Sequence, residues 1–209
     1  MKTSIAAAAL LLLGCSSGDV DTRLIRASKE GDGKKVAALL ARGANAGAQD
    51  EDGWTPLMWA AAHGDEASVD ALLNAGADIR AVTRDNRQGT LTLAAKWNRV
   101  GVVTLLLRRG AALQSRDSIG WTALMWASLQ GRTDVVAALL DGRAPIETTD
   151  GEGNTPLMLA ARQGRTETVR LLLDRGARTS ARDSAGESAQ DLAAAAGYPK
   201  IVALLKAKK

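Results

Sequence analysis

Two side chains in this sequence could begin covalent chemistry, and each stands alone. Cys15 is the sole cysteine and His63 the sole histidine. Ser-His-Asp, Cys-His and two-histidine metal schemes would all need that single ring. One thiol cannot close an intrachain disulfide or build a zinc cluster. No GxxxxGK[ST], G-x-S-x-G or HExxH stretch occurs, so no catalytic, cofactor or metal residues are expected. What remains is recognition, carried by the five tryptophans and an arginine-rich set of cations. Indole rings and guanidinium groups are the side chains that dominate protein interfaces. Lys plus Arg is 27 against 23 Asp plus Glu, a net charge of +4 without clustering. Nucleic acid, which asks for a concentrated basic face, is therefore not expected as a partner.

The thiol has a different reading at the start of the chain, MKTSIAAAALLLLGCSSGD. Lys2 gives a positive lead, and residues 5–13 form an unbroken apolar run. That run is too short for a bilayer-spanning helix, which takes about 20 residues, and fits a signal-peptide core. Leu12-Leu13-Gly14-Cys15 resembles the lipobox of bacterial lipoproteins. The resemblance implies residues 1–14 as a signal peptide, lipidation of Cys15 and a short tether over 15–21. With Ser16 rather than Asp next, it implies a lipoprotein facing the periplasm, in the outer rather than the inner membrane. The alternative is an ordinary secretory signal that leaves a soluble periplasmic protein. Several acyl chains would anchor the chain stably.

The elements that position the tryptophans come from repetition. Residues 24–45, 57–78, 91–112, 124–145, 157–178 and 190–206 share one pattern, clearest in TPLMWAAAHGDEASVDALLNAGAD, TALMWASLQGRTDVVAALLDGRAP and TPLMLAARQGRTETVRLLLDRGAR. Trp126, Leu159 and Leu192 follow at intervals of 33, whereas Trp59 to Leu93 is 34, so one residue is inserted ahead of Leu91. Thr55, Thr122 and Thr155 are helix N-caps, followed by Pro56 and Pro156 at the first helical position. Gly64, Gly131 and Gly164 close the first helix of a unit, with Asn98 in that column of the third. Val69, Leu72 and Leu73 mark a second helix, closed by Gly76 in this unit and by Gly110 and Gly176 in others. AQDEDGWT, RDSIGWT, TDGEGNT and RDSAGES carry the turn chemistry of tight hairpins. The absence of Phe and the presence of one Tyr suit a stack of thin layers better than one thick core.

Helix, turn, helix and hairpin on this period resembles the ankyrin repeat over about residues 22–207. The resemblance implies an all-α solenoid of about six helix-turn-helix units joined by β-hairpin loops, occupying 22–209. Units one and six are degenerate caps, and a monomer is expected. The third unit lacks the Thr-Pro start, so its hairpin is expected to be distorted. Met58, Met125 and Met158 replace the family's usual His and should fill the core. GDGKK at residues 31–35 superficially suggests a phosphate loop but falls on a helix–helix turn.

Ankyrin proteins bind partners through hairpin tips and the concave face of the first helices. Carried over by column, the binding set is Trp54, Arg87, Trp121 and Asn154 before the Thr; His63, Lys96, Trp97, Leu129, Gln130, Arg162 and Gln163 after the Ala pair; and Arg84, Arg116 and Ile119 on the hairpins. Trp59 and Trp126 fall where the family has Leu and should pack between repeats. Trp54, Trp97 and Trp121 fall in exposed columns. The expected function is non-enzymatic: a lipid-anchored interaction module with a protein partner. The alternative is an inhibitor or immunity protein that occludes a periplasmic hydrolase or toxin through the same groove.

Overall fold

The computed structural model describes residues 17–208. Cys15 and the leader lie outside the described residues. Among the described residues are twelve α-helices, in six consecutive pairs. The pairs are α1 (Ser17–Glu30) with α2 (Gly33–Ala41), α3 (Pro56–His63) with α4 (Glu66–Asn74), and α5 (Thr90–Lys96) with α6 (Val100–Arg108). The chain continues with α7 (Ala123–Gln130) and α8 (Thr133–Asp141), α9 (Pro156–Arg162) and α10 (Thr166–Asp174), and α11 (Ala189–Ala195) and α12 (Pro199–Ala207). The odd-numbered helices stack on one another in chain order, and the even-numbered helices form a second row beside them.

Local chemistry sets each boundary. The Thr55, Thr122 and Thr155 hydroxyls accept from the backbone N–H of Met58, Met125 and Met158, a cap that contributes about 1 kcal/mol. Gly64 and Gly131 end α3 and α7 in the left-handed conformation. A β-carbon at either would also collide with Arg99 or Arg165 of the next repeat. Those arginines donate Nε–H to the carbonyls of Ala62 and Leu129 at 2.9 and 3.0 Å, tying each helix end to its neighbour. Asn98 takes the same conformation, with φ +57°. In the fourth unit Gly142 comes one position early, and Arg143 occupies the left-handed site at φ +69°.

The core runs unbroken through all six units. Leu24, Leu57, Leu72, Leu106, Leu124, Leu139, Leu157 and Leu172 are fully enclosed, with Ala60, Ala94, Ala127 and Ala160 between the helix rows. Met58, Met125 and Met158 are buried in the same core, where the flexible thioether fills irregular gaps. Removing any one of these leucines should cost about 2–5 kcal/mol.

One expectation needs correction. The segment expected as a tether over 15–21 is helical from Ser17. Val20, Leu24 and Ala27 recur at helical spacing against the core, and Asp19 lies in the first turn, where the helix dipole favours a carboxylate. The hairpins are built from turns: among the described residues the only β pairing is the isolated bridge between Val82 and Gly89. That bridge lies in the hairpin leading into the third unit, the one expected to be distorted. Its extra residue widens the turn, and Gly89 caps α5 without a side-chain hydrogen bond.

Candidate protein-binding surface

The surface is organised by one aspartate in each of four of the five hairpins. One oxygen of Asp50 accepts from the N–H of Asp52 and Trp54 at 3.2 and 2.8 Å. Asp117 does the same for Ile119 and Trp121, Asp150 for Glu152 and Asn154, and Asp183 for Ala185 and Glu187. Such Asx turns fix a hairpin without a strand ladder. In the hairpin leading into the third unit Thr83 stands in, its hydroxyl accepting from the Gln88 N–H. Backbone bonds from Arg84 to Asp52, Ser118 to Asn86 and Ser184 to Glu152 link successive hairpins.

The second oxygen of the same aspartates reaches an indole. Trp59 Nε1 donates to Asp50 Oδ2 at 2.9 Å, and Trp126 Nε1 to Asp117 Oδ2 at 2.7 Å. Trp121 Nε1 donates onward to Asp150 Oδ2 at 3.1 Å, in the next repeat. Each hairpin indole then meets a helix indole. Trp54 stacks on Trp59 with centroids 4.3 Å apart, and Trp121 tilts against Trp126 at 4.8 Å. All four rings are half-buried, in the angle where a hairpin meets an odd-numbered helix. A lysine from the preceding repeat lies over each helix indole: Lys29 Nζ is 4.5 Å from the Trp59 ring and Lys96 Nζ 4.3 Å from the Trp126 ring. A cation held so contributes about 0.5–2 kcal/mol, more as water is excluded. Lys96 also donates to Gln88 Oε1 at 3.1 Å. Burial pushes its amine below the ordinary lysine value, partly offset by the carboxylates of Asp117 and Asp85.

The expected binding residues fall into three groups. Trp97 and Ile119 are the most open apolar side chains among them, each 56 % exposed. Arg87, at φ +52°, and Gln163 are exposed, as is His63, whose ring lies against Gly31 of the first unit. Trp54, Trp121, Lys96, Leu129, Gln130 and Arg162 are half-buried. Arg84 and Arg116 are exposed but work within the solenoid, donating to the carbonyls of Glu51 and Thr149 in the adjacent hairpin at 3.0 and 2.9 Å. Asn154 departs from the expectation. It is 2 % exposed, and its amide donates to Asp150 and Glu152, so a partner cannot reach it.

Trp59 and Trp126 also depart from it. They are not enclosed between repeats; they join the hairpin indoles as half-exposed pairs. Sequence reasoning missed Asp50, Asp117 and Lys29 as well. The available signals were an Asp five positions before the N-cap in four units, and a common separation of 30 in Lys29–Trp59 and Lys96–Trp126.

No group of three His, Cys, Asp or Glu able to hold a metal occurs among the described residues. No helix there is long and apolar enough to cross a membrane. The family model described as ankyrin repeats in three copies matches residues 4–83, 24–117, 81–150 and 139–209. With nearly the whole length covered, the chain belongs to the ankyrin-repeat family. Its repeats make it a protein–protein interaction module, of a family that generally serves as non-enzymatic scaffolding. No curated protein matches the chain.

Proposed function

We propose that this chain is a lipid-anchored module of the bacterial cell envelope that holds a protein partner in the groove between hairpins and odd-numbered helices, with no chemistry of its own. The observation that carries the reading is the pair of indole stacks, Trp54–Trp59 and Trp121–Trp126, half open to solvent and fastened by Asp50 and Asp117. Rigid aromatic rings fixed before binding lose little conformational entropy on association, which is why they dominate interface hot spots. Trp97, at the end of α5, and Ile119, in a hairpin, add exposed apolar area. The anchor reading rests on the lone Cys15 after a short apolar run. Helix α1 begins at Ser17, two positions later, so the first repeat would stand against the membrane surface. With Ser16 after the cysteine, the favoured location is the outer membrane, facing the periplasm.

The test is capture from a detergent-solubilised envelope extract of the source cell. The control carries Trp54→Ala, Trp97→Ala and Trp121→Ala together and is checked for native helicity. One dominant protein retained by the native chain and lost by the control is the expected result. Equal retention by both would remove the indole groove as the binding surface. Assaying the captured protein with and without this chain then separates a holding role from inhibition.

A further inference from the structure

The two indole sites are copies of one another at a period longer than the repeat. Lys29, Asp50, Trp54 and Trp59 recur as Lys96, Asp117, Trp121 and Trp126, every member displaced by 67 residues. The contacts recur with them: indole to aspartate, indole on indole, ammonium over the helix indole. The third and fifth units have neither indole, placing Leu93 and Leu159 in the helix column and Gln88 and Asn154 in the hairpin column, each just before the helix cap. The groove thus has two equal stations separated by a repeat of different character.

In the four central units the groove helices α3, α5, α7 and α9 contain no Asp or Glu, while in the outer row α4, α8 and α10 carry two each and α6 none; at the ends of the groove row, α1 carries Asp19, Asp21 and Glu30 and α11 carries Asp191. On that outer row carboxylates are matched between repeats, Asp70 with Arg109, Asp141 with Arg175 and Asp174 with Lys208. Among the described residues, none of the groove cations Lys29, Lys96 and Arg162 has a carboxylate within ion-pair distance. The acidic side chains of the groove side lie in the hairpins: Glu51, Asp85 and Glu152 at the tips among Arg84, Arg87 and Arg116, and Asp50, Asp117 and Asp150 behind them, already committed to backbone N–H groups and indoles, with Asp117 and Asp85 also acting on Lys96. Lys96 is partly desolvated in addition, which strengthens its attraction for an incoming anion.

We infer that the groove takes one extended acidic segment of a partner protein at two equivalent stations, a carboxylate at each lysine and an apolar side chain against each indole pair. The inference rests on the groove reading above and deepens it. Stacked helices lie about 8–10 Å apart, so stations two repeats apart are separated by roughly 16–20 Å. An extended chain covers that in about five or six residues. The recognised pattern is therefore two acidic-aromatic pairs about six positions apart.

The test is calorimetric titration of the full-length protein in detergent with synthetic peptides. One carries two Glu-Phe pairs six positions apart, one carries them two apart, one has a single pair, and one has Lys in place of both Glu. The six-apart peptide is expected to bind at least about 100-fold more tightly than the single pair, through the effective concentration of the second contact. Lys29→Gln and Lys96→Gln should each bring it down to the single-pair level. Indifference to spacing, equal binding of the Lys peptide, or losses confined to one lysine would overturn the inference. If the natural partner is lost on Trp→Ala replacement but retained at full affinity by Lys29→Gln/Lys96→Gln, the groove stands and the acidic two-station mode falls. If the Trp replacements leave capture unchanged, both fall.

Discussion

Replacing Asp117 tests how the central hairpin is held. The carboxylate is 7 % exposed and accepts three hydrogen bonds, from the N–H groups of Ile119 and Trp121 at 3.2 and 2.9 Å and from Trp126 Nε1 at 2.7 Å. A bond to a charged acceptor is worth about 1.5–3 kcal/mol. Ile119 lies at the exposed tip, where water can replace the carboxylate, so two bonds count fully. Asp117→Ala should therefore cost about 3–6 kcal/mol. Asp117→Asn keeps an amide oxygen for the backbone donors but turns an N–H toward the indole N–H, and should lose about half as much. Trp126→Phe removes the same indole bond from the other side. In a double-mutant cycle with Asp117→Asn its cost should fall short of additivity by about 1 kcal/mol. Urea unfolding followed by far-ultraviolet circular dichroism gives the free energies. Amide exchange shows where the damage sits, because a solenoid couples only nearest neighbours. Protection should fall in the fourth unit and its flanks and be kept in the first and last. An Ala variant within about 0.5 kcal/mol of wild type, or an Asn variant as damaged as Ala, would refute the dual role assigned to this carboxylate.

Arg143→Gly should stabilise the chain by about 0.5–1 kcal/mol, since a left-handed non-glycine residue costs about 1–2 kcal/mol and glycine's greater unfolded freedom returns part of it; a melting temperature no higher than wild type would contradict this. Thr155→Ala should cost about 1 kcal/mol in urea unfolding through loss of the α9 cap, whereas Trp97→Ala, on an open surface, should stay within about 0.5 kcal/mol of wild type. For Lys96 the folded-state amine titrates below its unfolded value because of burial. The folded state thus binds that proton more weakly, so stability is gained as pH rises through the lowered value to the ordinary one of about 10.4 and lost as pH falls back through it. Wild type should therefore gain relative to Lys96→Gln over that alkaline window, and parallel stability curves would show the amine is not desolvated. Cys15→Ser should move the protein from the detergent-rich to the aqueous fraction in phase partitioning; unchanged partitioning would exclude acylation as the anchor.

The repeat period, the Thr caps and the left-handed Asn98 were legible because each depends on a few neighbouring residues. The position of Asn154 was not. It shares a column with Trp54 and Trp121, but its short amide folds back onto Asp150, whereas an indole must project. The second use of Asp50 and Asp117 was equally hidden, since the donating indole is nine residues on and arrives only when the helix folds against its hairpin. Lys29 over Trp59 depends on the stacking of two different units, which a single repeat's pattern does not encode. The first turn of α1, over residues 17–21, was hidden because a short polar stretch after a leader resembles a tether, and among the described side chains there only Val20 faces the core.

The indole pairs also give the molecule an optical signature. Rings 4.3 and 4.8 Å apart have coupled transition dipoles, so each pair should produce a split, oppositely signed band in circular dichroism that vanishes when its hairpin detaches from its helix. Because the two pairs differ in interplanar angle, 28° against 56°, their bands should differ in strength and sign pattern. The opening of the second and fourth units can then be followed separately in one unlabelled sample, one half of the solenoid reporting while the other stays closed.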